Sequence, residues 1–144
     1  MNMSTESSTT PYDQLGGATG LHTLVQRFYV LMDTLPEAYA VRLMHPASLD
    51  GSAESLFEFL SGWFGGPSLY IAKKGHPRLR MRHANYAVGP LVRDEWMLCM
   101  TQALTEQVAD ETFRSHLIAT FSQMADHMVN SDHQPAELSA NKAN

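Results

Sequence analysis

Glycine and proline divide this chain into segments in which apolar residues recur every three or four positions. That spacing places the apolar side chains on one face of a helix. The clearest example follows Gly16 and Gly17, with Thr19 as the predicted N-cap. Its apolar positions are Leu21, Leu24, Val25, Phe28, Leu31 and Met32. No convincing pair of strands occurs, so the sequence predicts an all-α fold.

Further breaks predict the next helices. Pro36 suits the first turn of a short helix that ends near Met44, because a proline follows the next residue. A third helix is predicted from about Ser52 to Phe64, where a Gly-Gly-Pro sequence ends it. Residues 65–76 are predicted to form a loop.

The second half of the chain continues the pattern. A short segment from Arg78 to about Asn85 alternates polar and apolar residues, which alone would also suit a strand. Because no partner strand is available, the helical interpretation is preferred. A long helix is predicted from about Leu91 to Val108, and Asp110 is the predicted cap of the last helix.

Length and charge restrict the class of protein. The chain has 144 residues, enough for one compact domain. Its net charge of −5 argues against nucleic acid as a partner, because phosphate binding needs a basic surface. The N-terminus is polar and no apolar run is long enough to span a bilayer, so a cytoplasmic protein without a membrane partner is expected. The single cysteine, Cys99, excludes an intramolecular disulfide and is expected to pack in the core.

A basic cluster stands out in this acidic chain. Half of the ten Lys and Arg residues lie between positions 73 and 82, and they are Lys73, Lys74, Arg78, Arg80 and Arg82. One interpretation is a solvated charged surface. The other is a binding site for a small anionic group.

His83 lies beside this cluster and is one of seven histidines. The sequence contains none of the usual multi-residue metal motifs, but a single histidine can hold iron when a porphyrin supplies four ligands. Leu79, one turn earlier, would offer an apolar wall to a porphyrin face. Arg80 and Arg82 could pair with its propionates. These features favour His83 as a haem ligand among the histidines.

The segment from Gly75 to Ala84, GHPRLRMRHA, resembles the proximal signature of group II truncated haemoglobins. The agreement extends in order over residues 12–131. Its further motifs are Tyr12-Asp13, Gly16-Gly17, Arg27-Phe28-Tyr29, Trp63 to Pro67, Asp94 to Met100 and His127 to Asn130. The resemblance implies a two-over-two helical sandwich around one haem b, with His83 as the proximal iron ligand. Residues 1–11 and 132–144 would be flexible extensions of this globin domain.

The resemblance also implies which residues lie on the opposite, distal side of the haem. Tyr29, His45 and Trp96 would line the gas-binding position. Further positions carried over are Ser52 and Leu56 on the distal side, and Phe28 and Phe59 near the haem edge. A phenol O–H and an indole N–H can donate hydrogen bonds to a bound gas. His45 is expected to donate in either protonation state, given a suitable tautomer.

Several hydrogen-bond donors should slow the release of O₂, which suits redox chemistry better than oxygen transport. We therefore expect detoxification, either oxidation of nitric oxide by O₂ or reaction with peroxide or reactive nitrogen species. The expected small ligands are O₂, nitric oxide, carbon monoxide and peroxide. An unidentified reductase is the expected partner protein. The expected oligomeric state is a monomer or a homodimer. Storage, transport or sensing of O₂ without turnover is an alternative. An all-α interaction domain without a cofactor is another.

Overall fold

The computed structural model describes residues 9–75 and 88–129, and all regular structure within these ranges is helical. This confirms the all-α prediction. The elements are α1 (Pro11–Gln14), α2 (Gly17–Thr34), a 3-10 turn (Pro36–Ala38), α3 (Tyr39–Leu43), α4 (Asp50–Trp63), α5 (Leu69–Lys74), α6 (Pro90–Gln107) and α7 (Glu111–Met128). The described residues fall into two compact units, 9–26 with 50–75 and 27–49 with 88–129.

In the first unit, Tyr12 on α1 contacts the turn that follows α4. The Tyr12 N–H donates to the Phe64 carbonyl oxygen at 3.0 Å. A Cβ added at Gly66 would come within 2.5 Å of the Tyr12 ring, so this close approach requires glycine. Thr10 caps α1, since its hydroxyl oxygen accepts a hydrogen bond from the Asp13 N–H at 3.1 Å. The sequence analysis did not predict α1.

Helix α5 shows that the loop predicted for residues 65–76 was wrong. A helix of six residues is too short to be stable by its own propensity. Here the Tyr70 ring is buried, and the Lys73 ammonium donates to the carboxylate of the buried Glu58 on α4 at 2.5 Å. Contacts with α4 therefore stabilise a helix that local sequence signals do not predict.

In the second unit, α6 packs against α7. Arg93 on α6 donates to the Asp126 carboxylate on α7 at 2.8 Å and also to the Ser122 hydroxyl. Asp110 caps α7 by accepting from the Phe113 N–H at 2.9 Å, as predicted. The largest fully buried side chains of this unit are Phe28, Met32, Met100, Leu104, Leu117 and Phe121.

Most predicted helix boundaries agree with the structure to within one or two residues, but the start of α2 differs. Thr19 lies inside α2, where its carbonyl oxygen accepts from the Thr23 hydroxyl at 3.0 Å, so the predicted N-cap was wrong. Gly16 and Gly17 have φ values of 102° and 68°, which let the chain turn directly into the helix. The predicted segment from Arg78 to Asn85 lies outside the described residues.

Within residues 9–75 and 88–129, no helix combines the length and the apolar character that a membrane span requires.

Candidate functional site

Two adjacent aromatic residues lie on the part of α2 that belongs to the second unit. Phe28 is fully buried, and Tyr29 is 8% exposed. Their ring centroids lie 4.8 Å apart with an interplanar angle of 76°, the edge-to-face arrangement that aromatic rings prefer. The apolar spacing of α2 explains the burial of both, since it directs this face of the helix into the core.

Helix α6 contributes Trp96 to the same place. The Trp96 ring lies 5.0 Å from Phe28 in an edge contact and 5.9 Å from Phe121 on α7. Trp96 follows Val92 by one turn on α6, and Val92 is buried. Trp96 itself is half-buried. Its indole is therefore supported by core aromatic rings while part of its surface stays accessible.

His45 completes this group from the end of α3. Its ring centroid lies 5.9 Å from that of Tyr29, edge-on at 73°. Arg42, three residues earlier, donates to the Asp33 carboxylate at 2.8 Å and to the carbonyl oxygens of Pro46 and Ala47. The last two bonds tie the backbone that follows His45 to Arg42 on α3. The structure thus brings together Phe28, Tyr29, His45 and Trp96, which we call the donor cluster.

Burial controls the chemistry of Tyr29. Because the charged phenolate would be poorly solvated, burial raises the pKa of the Tyr29 hydroxyl well above its ordinary value. Tyr29 therefore keeps its proton and remains a hydrogen-bond donor over the whole physiological pH range. Trp96 can only donate. The donor cluster offers a neutral O–H and a neutral N–H within apolar surroundings.

The predicted residues Ser52, Leu56 and Phe59 lie in the first unit, on α4. Their spacing of four and three residues places them on one face of that helix, and all three are half-buried. The Phe59 ring stacks on Trp63 at 5.6 Å and meets Tyr70 edge-on at 6.3 Å. This face is mainly apolar, with one hydroxyl from Ser52.

The residues predicted for the proximal side, His83, Leu79, Arg80 and Arg82, lie outside the described residues. Cys99, on α6, is fully buried as predicted. Burial, with a smaller contribution from the Glu95 carboxylate, raises the pKa of the Cys99 thiol to about 11. Cys99 is therefore a protonated core residue at neutral pH.

Glu95 was not predicted, although it lies next to Trp96 on α6. It is 9% exposed, and its carboxylate accepts a hydrogen bond from the Val41 backbone N–H at 2.8 Å. A signal was present in the sequence, because Glu95 falls between Val92 and Cys99 in the register of the buried face. A carboxylate at a core position needs a buried donor, but the sequence does not say which backbone group supplies it.

Comparison with known proteins agrees with this architecture. Residues 10–130 match the family of bacterial-like globins. The chain is 31% identical over 125 residues to a group 2 truncated hemoglobin of Bacillus subtilis, covering 87% of this chain and 92% of that protein.

Among solved structures, a cold-adapted truncated hemoglobin from the Antarctic bacterium Pseudoalteromonas haloplanktis is 44% identical, with a TM-score of 0.84. The match covers 85% of this chain and 99% of that one. A group II 2-on-2 hemoglobin from Agrobacterium tumefaciens is 43% identical with a TM-score of 0.83, covering 86% and 96%.

Proposed function

The chain belongs to the bacterial-like globin family as a group II truncated haemoglobin with the two-on-two fold, and on this premise we propose that it carries out redox detoxification. Members of the family bind haem b, and haem-based binding of small gases such as O₂ follows for this chain. The proposed reaction is oxidation of nitric oxide by O₂. Peroxide and reactive nitrogen species are further candidate substrates.

The donor cluster fits a haem protein that holds a polar gas. A bound O₂ molecule accepts hydrogen bonds, and these are strongest from donors in apolar surroundings. Tyr29 is buried and protonated, and Trp96 lies beside the same Phe28 ring. The buried Tyr29 hydroxyl, paired with the Trp96 indole across Phe28, is the observation that carries the proposal.

The remaining assignments rest on the sequence. His83 would hold the iron, Leu79 would pack on one haem face, and Arg80 and Arg82 would pair with the propionates. Tyr29, His45 and Trp96 would face the gas. Phe28 and Phe59 would lie near the haem edge, with Ser52 and Leu56 on the distal side.

Strong donors favour redox chemistry over oxygen delivery. Each hydrogen bond broken on release is worth about 0.5–1.5 kcal/mol, so two together slow dissociation by roughly a factor of five to more than a hundred. A gas that stays bound for long is available to a second reactant. The net reaction combines NO, O₂ and one electron to give nitrate. When bound, the haem would supply ferrous iron, which binds the gas and provides that electron.

Rapid mixing tests this function. The oxygenated ferrous protein is mixed with nitric oxide, and the absorbance of the haem and the yield of nitrate are followed. We expect one nitrate per haem, with conversion to the ferric form complete within the mixing experiment. Slow conversion without nitrate would contradict the proposal and would favour storage, transport or sensing of O₂.

Repeated turnover requires an electron donor, because each reaction leaves the iron ferric. We propose that a reductase supplies this electron. With a reductase and its nicotinamide cofactor added, nitrate should accumulate beyond one equivalent per haem. A protein that stops after one equivalent with every reductase tried, while the ferric form is reduced chemically without difficulty, would argue against a catalytic role.

A further inference from the structure

The backbone N–H and carbonyl of Val41, which belong to two successive peptide groups, contact two side chains from different parts of the second unit. The Val41 N–H donates to Glu95 Oε1 on α6 at 2.8 Å. The Val41 carbonyl oxygen lies 2.9 Å from Nδ1 of His45. Val41 is 2% exposed, so the group that links the two side chains is shielded from water. One residue therefore connects Glu95 to His45.

This contact favours one of the two neutral tautomers of His45. A carbonyl oxygen can only accept a hydrogen bond, so Nδ1 must be the donor in the contact with Val41. A neutral imidazole has one N–H, and with the proton on Nδ1 the other nitrogen, Nε2, is an acceptor. The expectation that His45 donates in either protonation state therefore applies only to the other tautomer, with the proton on Nε2. With Nδ1 protonated, Nε2 can donate only from the imidazolium form.

We propose that Glu95 is a positioning residue that acts through Val41 to hold His45 in the Nδ1–H tautomer, which makes His45 a donor to the bound gas only when it is protonated. The proposal rests on the distal role of His45 in the proposed function. It assigns a pH dependence to ligand release and gives the buried Glu95 a part in it.

The groups around His45 support this arrangement. Among the residues that the structure describes, the charged and titratable groups in contact with His45 or its backbone partners include Tyr29 from α2, Glu95 from α6 through Val41, and Arg42 on α3, which pairs with Asp33. Tyr29 keeps its proton because burial raises its pKa. The hydrogen bond from the Val41 N–H to the Glu95 carboxylate holds the Val41 backbone in place, and the carbonyl of the same residue is thereby held within reach of His45 Nδ1. The Nδ1–H form is thereby favoured.

Nuclear magnetic resonance of the imidazole nitrogens tests the tautomer directly. Histidine is labelled with ¹⁵N in the ferrous protein bound to carbon monoxide, which is diamagnetic, and the His45 signals are assigned by their loss in His45→Phe. We expect long-range ¹H–¹⁵N correlations typical of the Nδ1–H form when His45 is neutral. The pattern of the Nε2–H form would overturn the proposal.

Substitutions of Glu95 test the role of this residue. Glu95→Gln keeps an oxygen that can accept from Val41 and should keep the Nδ1–H form. Glu95→Leu removes the acceptor and should give signals of both tautomers, with the circular dichroism of the wild type. Glu111→Leu, at an exposed position of α7, is the control. If Glu95→Leu does not fold, Glu95→Met replaces it. An apolar variant with the tautomer pattern of the wild type would overturn the role of Glu95.

The rate of O₂ release completes the test, measured by displacement with carbon monoxide between about pH 5 and 8, where histidine titrates. We expect release to slow about tenfold as His45 gains a proton, because a charged donor is added. The profile should be flat in His45→Phe. A flat wild-type profile with the Nδ1–H signals present would overturn the distal role of His45 and leave the tautomer intact. A sloping profile with Nε2–H signals would overturn the inference and leave the distal role intact.

Discussion

The indole of Trp96 stands edge-on to the buried Phe28 ring at a centroid distance of 5.0 Å, although the two residues lie far apart in the sequence. Phe28 also meets Tyr29 edge-on at 4.8 Å. One apolar ring thus supports both of the neutral donors. Because Phe28 is fully buried among core residues, neither donor can shift without disturbing the packing of α2 against the core.

Replacing Tyr29 by Phe should speed the release of O₂ by about two- to tenfold, since one neutral hydrogen bond is lost. The ring remains, so its edge contact with Phe28 and the stability of the protein should change little. Stopped-flow displacement by carbon monoxide measures the rate. Tyr39→Phe is the matched control, because the Tyr39 side chain is 69% exposed on α3. Equal release rates in the two variants would contradict the donor role of Tyr29.

Replacing His83 by Gly should abolish the haem–histidine bond and weaken haem retention. Imidazole added to the medium should restore a histidine-like absorbance spectrum, because the free ring can occupy the vacated position. His116→Gly is a control at another histidine, which is exposed on α7. A His83 variant that retains haem with an unchanged spectrum would show that another residue holds the iron.

Acid should destabilise the protein partly through Glu58. The hydrogen bond from Lys73, with its positive charge, lowers the pKa of the Glu58 carboxyl below its ordinary value. A carboxyl whose pKa is lower in the folded state contributes stability above the unfolded pKa, and that stability is lost as the pH falls through the folded pKa. Chemical unfolding from neutral pH down to below about pH 4.3, the ordinary Glu value, measures the loss.

The comparison for this prediction uses two variants. Glu58→Gln should show a shallower decrease of stability toward acid than the wild type. Glu37→Gln changes an exposed carboxylate on the 3-10 turn and should leave the slope unchanged. Identical slopes for the wild type and Glu58→Gln would mean that the contact with Lys73 does not persist in solution.

Cys99 should react slowly with thiol reagents in the folded protein. The thiolate is the reactive form, and burial holds the pKa of Cys99 at about 11. Because the folded pKa exceeds the ordinary value of about 8.5, the resulting stability is present below that value and is lost as the pH rises toward the folded pKa. Labelling with a maleimide at neutral pH, compared with labelling in denaturant, measures the protection. Equal rates in the two conditions would contradict the burial.

The sequence predicted most of the helices because their apolar spacing and their caps are local signals. Asp110 is an example, since an acidic residue before an apolar helix needs no tertiary information to be identified as a cap. Helix α5 escaped prediction because Tyr70 and Lys73 depend on contacts with α4. A segment of six residues is too short to form a stable helix without those contacts.

In the candidate site, too, local sequence signals predicted some features, whereas others depend on tertiary contacts. Tyr29 and Trp96 were predicted as gas-facing donors from family motifs, since those motifs specify residue type and order. The proton position on His45 depends on the 2.9 Å contact with the Val41 carbonyl, which no pattern of residue types encodes. The role of Glu95 depends likewise on a backbone partner 54 residues away.

The burial of Cys99 also makes the chain convenient for attaching probes. The sequence contains one cysteine, and that thiol is enclosed within the core. A cysteine introduced at an exposed position, such as Thr112→Cys on α7, would be the thiol that a dye or a photosensitiser meets first. The native cysteine therefore does not need to be removed before a surface position is labelled. A photosensitiser attached at such a position could deliver electrons on illumination from a chosen point on the surface.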